Sequence, residues 1–437
     1  MRRRRPGARL AAGLLAALLA LLVGAVPASA APSRPTVDPS APTPTSPFPG
    51  RPPQGSAPDG RTVGGGELDT RGVVVGEGTP ALPDGLAANG WLVADAGTGD
   101  VLAARDPHGR YYPASTLKTL TLLTLVPLLD PARVVVGTAE DENVEGSRVG
   151  IVAGGQYPVS LLFQALILQS GNDAANALAR AAGGVDVTVA AMNETAEGLG
   201  AFDTVAGTPS GLDVAGQSSS PYDLALIFRA LIADPATAAV LATPTAQMPA
   251  VEGRSPGYQI QSQNPLLATY PGILGGKTGF TDAARHTFVT AAERDGRRLV
   301  VSVMDTENTP LRAADQAALL LDWGFAVPAG TAGVGVLVSP GDLAPTAAPT
   351  ASRTRPPARP AATDAVSAST AGVPVVPLTL AGTAVLIVVA TLVGRRRAVR
   401  PVPPSADGPP VRRPPARRPP VEREAPRSGG GSPSTRP

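Results

Sequence analysis

A chain of 437 residues without cysteine has neither a disulfide framework nor a thiolate metal site. Two histidines, His108 and His286, argue against a histidine metal site or a Ser-His-Asp triad, and nothing in the pattern calls for a metal or cofactor. The net charge of +2 divides unevenly: residues 81–330 hold 14 Lys+Arg against 25 Asp+Glu, so the central region lacks the basic face that nucleic acid requires.

Arg2 to Arg5, a run of apolar residues over 10–26 and Ala28-Ser29-Ala30 read as a secretory signal peptide over 1–30, cut after Ala30. Residues 31–80, rich in Pro, Ser, Thr and Gly, read as a linker. Order is expected from about Gly85. Trp91–Ala94 and Val101–Ala104 flank a Gly-rich turn and predict a hairpin. A helix follows in Tyr111–Leu129, with Ser115 as its cap, and Asp130-Pro131 ends it. Ser160 is read as the cap of the next helix, which Ser170-Gly171-Asn172-Asp173 interrupts. Helices are expected after that break, over 185–200 and over Tyr222–Ala233. From Gly272 the pattern turns to three strands, the last two joined by Asp295-Gly296, before a closing helix over 312–325. An opening hairpin, helices in the middle and a terminal meander give an α+β domain over 81–330. Residues 331–372 read as a second linker. Val373 to Val393 is 21 residues without a charge, long enough to span a bilayer, and the following arginines place the tail (394–437) inside, against anionic lipid.

All but two of the 37 basic residues are arginine; the lysines are Lys118 and Lys277. Arginine does not release its proton in a protein, whereas a buried lysine does. Ser115 and Lys118 are three apart, on one face of a helix, so the serine is a candidate nucleophile and the lysine its base. A Ser-x-x-Lys pair alone is equally a cap and a surface charge. At the helix break, Ser170 can pass a proton and Asn172 can hold a substrate carbonyl. In Gly275-Gly276-Lys277-Thr278-Gly279, a cation and a hydroxyl among glycines suit the anionic end of a substrate. The phosphate-loop spacing fails there, because position 271 is Pro. Alternation along a strand should send the Lys277 and Thr278 side chains apart.

Taken together, Ser115-Thr116-Leu117-Lys118, Ser170-Gly171-Asn172 and Lys277-Thr278-Gly279 match the three-part signature of β-lactamases and penicillin-binding proteins. Over residues 83–326 the chain resembles the serine D-alanyl-D-alanine carboxypeptidases, the low-molecular-mass penicillin-binding proteins. That resemblance implies an antiparallel sheet packed with helices plus a mostly helical subdomain. It implies removal of the terminal D-Ala from peptidoglycan stem peptides, with β-lactams as covalent inhibitors. Ser115 would be the nucleophile, Lys118 the general base and Ser170 a proton relay. Asn172 would hold the substrate backbone, and Lys277 would set the electrostatics near Ser170. Thr278 would bind the terminal carboxylate, with Gly279 also lining the substrate, and the backbone N–H groups of Ser115 and Phe280 would form an oxyanion hole. A class A β-lactamase would need a deacylating glutamate, and Glu194 and Glu197 lack that context. A catalytically silent wall-binding protein is the remaining alternative, and the three intact motifs argue against it.

Overall fold

The computed structural model describes residues 54–343. The signal peptide, most of the first linker, the span 373–393 and the tail lie outside the described residues. Among the described residues, no single helix is long and apolar enough to cross a membrane.

In chain order the strands are β1 (Val73–Val75), β2 (Gly90–Asp95), β3 (Asp100–Arg105), β4 (Val134–Val136), β5 (Gln156–Pro158), β6 (Thr245–Met248), β7 (Tyr258–Gln261), β8 (Ile273–Thr281), β9 (Arg285–Arg294), β10 (Arg297–Thr306) and β11 (Gly335–Val336). The helices are α1 (Lys118–Leu125), α2 (Ala139–Glu142), α3 (Val159–Leu168), α4 (Asn172–Ala181), α5 (Val185–Leu199), α6 (Pro221–Ala233), α7 (Pro235–Leu241) and α8 (Ala313–Ala326). The main sheet is antiparallel in the order β1-β3-β2-β10-β9-β8, with β11 also on β3. The expected α+β class is what forms.

Both faces of this sheet are covered, which is why its strands read as continuous apolar runs. Leu92, Ala94, Val289, Ala291 and Val300 face the layer built around α1, α3, α4 and α6. Trp91, Val93, Phe288, Ala292 and Val301 face the other way, onto Leu320, Leu321 and Trp323 of α8. The three expected strands after Gly272 are β8, β9 and β10. Asp295, at φ 50°, and Gly296, at φ 78°, close the last hairpin in the left-handed conformation that such turns need.

Four expectations change. Order begins well before residue 81. Gly55 N–H donates to Asp203, Val63 O meets the His108 ring, and β1 pairs with β3. At the other end β11 pairs with β3 inside the stretch read as linker. These segments gain order from partners far away in sequence, which local composition does not show. Ser115 is not a helix cap: it lies inside a 3-10 turn, Ala114–Leu117, that leads into α1. Ser160 is likewise inside its helix, because α3 starts at Val159 after Pro158.

Candidate active site

The 3-10 turn sets the nucleophile. Ala114 holds a left-handed φ of 47°, and Thr287 Oγ1 on β9 donates to Pro113 O at 2.9 Å. The turn is thereby tied to the sheet. Lys118, the first residue of α1, is wholly buried. Its Nζ lies 3.0 Å from Ser115 Oγ, 2.7 Å from Asn172 Oδ1 and 2.6 Å from the Ser210 carbonyl. The proposed Ser–Lys pair is in contact, and the second motif supplies a third member.

Asn172 is oriented from behind, because its Nδ2 donates to Glu145 O at 2.7 Å. That leaves Oδ1 for the lysine. The helix break that carries it is held by Asp173. This buried carboxylate accepts from the backbone N–H groups of Val149, Gly150 and Ile151 at 2.7 to 3.0 Å. Ser170 sits at the break with φ 60°, a left-handed conformation costly for a serine. Its Oγ is buried and finds no hydrogen-bond partner among the described residues. A buried hydroxyl left without a partner is disfavoured unless something arrives to use it.

The third motif lies on β8, the end strand of the sheet order. Lys277 and Thr278 diverge as alternation requires. Lys277 pairs with Val289, on the helical side, and Thr278 with Phe288, on the α8 side. The Lys277 ammonium is buried and donates to Thr278 O at 2.7 Å. Gly279 is where the strand meets the nucleophile: a Cβ there would overlap Thr287 Oγ1 and lie 2.9 Å from the Ser115 amide nitrogen. Only glycine lets β8 come this close. Phe280 stays about half exposed and stacks on His286, ring centroids 4.5 Å apart.

Both lysines are pushed toward neutrality. Burial lowers Lys277 to about 7. Lys118 falls well below its ordinary value through burial first, then the charge of Lys277, against an opposing pull from Asp173. Of the two, Lys118 is the one whose Nζ lies against Ser115 Oγ, which marks it as the candidate base.

His108 is away from this site. It is buried among Asp203, Arg110 and Tyr222, with Nδ1 at 2.9 Å from Asp203 and Nε2 at 3.1 Å from Val63 O. Burial opposes its charge, but the hydrogen bond and charge of Asp203 outweigh that and raise it. His108, Asp203 and Asp223 could by spacing hold a cation. The donors already there are Arg110, Gly55 N–H and the Thr204 hydroxyl, so the cluster is a closed hydrogen-bonded clasp. Sequence reasoning missed Asp173 and the Ser210 carbonyl. The acid beside Asn172 at a helix start was a visible signal; a backbone carbonyl leaves none.

A family model described as D-alanyl-D-alanine carboxypeptidase matches residues 77–308. The D-alanyl-D-alanine carboxypeptidase DacB2 of Mycobacterium tuberculosis is 48% identical over 255 residues, 57% of this chain and 86% of that protein. DacA of Escherichia coli, another D-alanyl-D-alanine carboxypeptidase, is 32% identical over 259 residues, 56% of this chain and 62% of its own length. Among solved structures, a D-alanyl-D-alanine carboxypeptidase from Mycobacterium tuberculosis is 46% identical with a TM-score of 0.57, covering 60% of this chain and 99% of that one. The Streptomyces K15 DD-transpeptidase is 26% identical with a TM-score of 0.53, covering 56% and 100%. The family match runs from before β2 through the end of β10, and so takes in both lysines, the strained serine and the glycine against the nucleophile; the chain belongs to the serine D-alanyl-D-alanine carboxypeptidases.

Proposed function

We propose that this chain performs the family's reaction through Ser115 and Lys118, on the D-Ala-D-Ala end of peptidoglycan stem peptides. The observation that carries this reading is the set of three oxygens around Lys118 Nζ. A neutral amine has two N–H bonds and one lone pair. Asn172 Oδ1 and Ser210 O accept only, so they take both N–H bonds. The lone pair is left for Ser115 Oγ at 3.0 Å. The serine hydroxyl then donates to the amine and is poised to lose its proton.

Ser115 Oγ attacks the carbonyl carbon between the two D-alanines as its proton passes to Lys118. The oxyanion forms against the backbone N–H groups of Ser115 and Phe280. Lys118 passes its proton through Ser170 to the leaving amine, free D-Ala departs, and the acyl group stays on Ser115. Water attacks the ester, its proton returns by the same bases, and Ser115 is regenerated. Lys277, Thr278 and Gly279 border the place of the terminal carboxylate on the end strand. β-Lactams acylate the same serine. Incubating the protein with a stem peptide ending in D-Ala-D-Ala should release free D-Ala, and Ser115→Ala should abolish both this and covalent labelling by a fluorescent penicillin. Release by the Ser115→Ala protein would place the nucleophile elsewhere.

The same reading puts the enzyme on the cell-wall side of the membrane. The signal peptide 1–30 exports it, the span 373–393 anchors it, and the tail 394–437 stays inside. Full-length protein should resist carbonate extraction from membranes, whereas a chain ending at residue 372 should be released. Full-length protein found in the wash would remove the anchor.

A further inference from the structure

Gln217 is wholly buried and carries no charge, and its side-chain hydrogen bonds go to one loop. Its Oε1 accepts from Gly207 N–H at 3.2 Å, Thr208 N–H at 3.1 Å and Thr208 Oγ1 at 3.3 Å. Its Nε2 donates to Leu212 O at 2.9 Å. Thr208 Oγ1 in turn accepts from Gly211 N–H at 3.0 Å. The side chain thus closes residues 207–212 into a ring. Two successive carbonyls of that ring reach α1: Pro209 O accepts from Thr121 Oγ1 at 2.8 Å, and Ser210 O accepts from Lys118 Nζ at 2.6 Å. Gly211, at φ 82°, packs so closely that a Cβ would overlap Ala114 O, one residue before the nucleophile.

We propose that Gln217 is a positioning residue for the catalytic base: it fixes the Ser210 carbonyl, which takes one N–H of Lys118 and so turns the lone pair toward Ser115. The inference rests on Lys118 being the base. A backbone carbonyl cannot be removed by substitution, so the residue that aims it is where this contact is open to test. Besides Ser115, Asn172 and the Ser210 carbonyl, the groups that act on Lys118 are Lys277 from β8 and Asp173 from α4. Gln217→Met touches none of them.

The experiment measures the acylation rate constant of the full chain with a fluorescent penicillin across pH 4 to 9, for wild type and Gln217→Met. Lys118→Ala serves as the test of the underlying reading. Gln316→Met is the fold control. That residue is an equally buried glutamine, bound to Ala87 N–H, Ala88 N–H and Thr306, remote from the site. A mis-aimed lone pair should lower the plateau by about ten- to a hundred-fold. An ammonium that has lost an acceptor is also easier to deprotonate, so the acid limb should move to lower pH. General loosening would admit water to Lys118 and move that limb to higher pH. Gln217→Met is expected to show the lowered plateau with the downward limb, and Gln316→Met to show neither. An unchanged plateau, an unmoved limb or an upward limb in Gln217→Met overturns the proposal. Full acylation by Lys118→Ala overturns instead the assignment of the base.

Discussion

Lys277 makes an opposite demand on stability and on chemistry, and the conflict is measurable. The side chain is 1% exposed, and burial lowers its ammonium from 10.5 to about 7. Between those values the unfolded chain binds more protons than the folded one, so stability rises with pH across that window. Below the folded value both states are protonated and the penalty is complete. At about 1.36 kcal/mol for each unit, a depression of about 3.5 units corresponds to roughly 4 kcal/mol of destabilisation at pH 7. The hydrogen bond from Nζ to Thr278 O offsets about 1 kcal/mol. Lys277→Met keeps the length and removes the charge. It is expected to raise stability at pH 7 by on the order of 3 kcal/mol, or about 5–10 °C in Tm. Removing the charge also relieves its repulsion of Lys118, which acts in the same direction. The gain should shrink as the pH climbs and vanish near pH 10, while acylation by a fluorescent penicillin is lost at every pH. Urea unfolding of both proteins at pH 7, 8, 9 and 10 reads it. A variant less stable than wild type at pH 7, or a difference that does not change with pH, refutes the reasoning.

Ser170→Ala removes a buried hydroxyl that has no partner among the described residues, so melting should be unchanged or slightly higher. Release of D-Ala should fall by about 10²–10⁴-fold for loss of a proton relay; a clear drop in Tm would instead mean that the hydroxyl is tied into the fold. Gly279→Ala places a methyl against Ser115 N and Thr287 Oγ1. It should lower stability by roughly 1–3 kcal/mol and slow acylation at least about ten-fold, and normal acylation kinetics would show that β8 has room to move away from the nucleophile.

The sheet was legible where local chemistry decides it. Trp91–Ala94 and Val101–Ala104 announce a hairpin, and Asp295-Gly296 supplies its own turn. The pair of lysines was legible for a different reason: in a chain that otherwise uses arginine, the two positions where a proton can be released stand out. What stayed hidden depends on contacts across long separations. Gly55 gains order from Asp203, 148 residues away, and Gln217 gains its role from a ring of backbone groups. Neither leaves a periodicity. Ser115 was placed as a cap because a serine after a proline suits a helix start. The structure instead uses Pro113 O as an acceptor for Thr116 and Thr287, drawing the turn toward the sheet.

Several groups that weaken this fold meet at one place. Two buried lysines, a left-handed serine with an unpaired hydroxyl and a left-handed Ala114 surround the gap between the turn before α1, the break before α4 and the end strand β8. Elsewhere buried ions are paired at Asp203, with Arg110 and His108, and at Asp141, with Arg180. Lys118 and Lys277 form no ion pair with any described carboxylate. A sheet buried on both faces supplies the apolar stability that lets such a site persist. Each of the three elements contributes from an end or an edge, where backbone is not fully committed to its own ladder. A mid-helix serine could not hold φ 60°, and a strand inside the sheet could not present its edge to Ser115. The strain and the missing partners therefore follow from where the chemistry has to sit, and on the proposed function a bound peptide would offer its scissile carbonyl to the backbone donors and its carboxylate to Lys277.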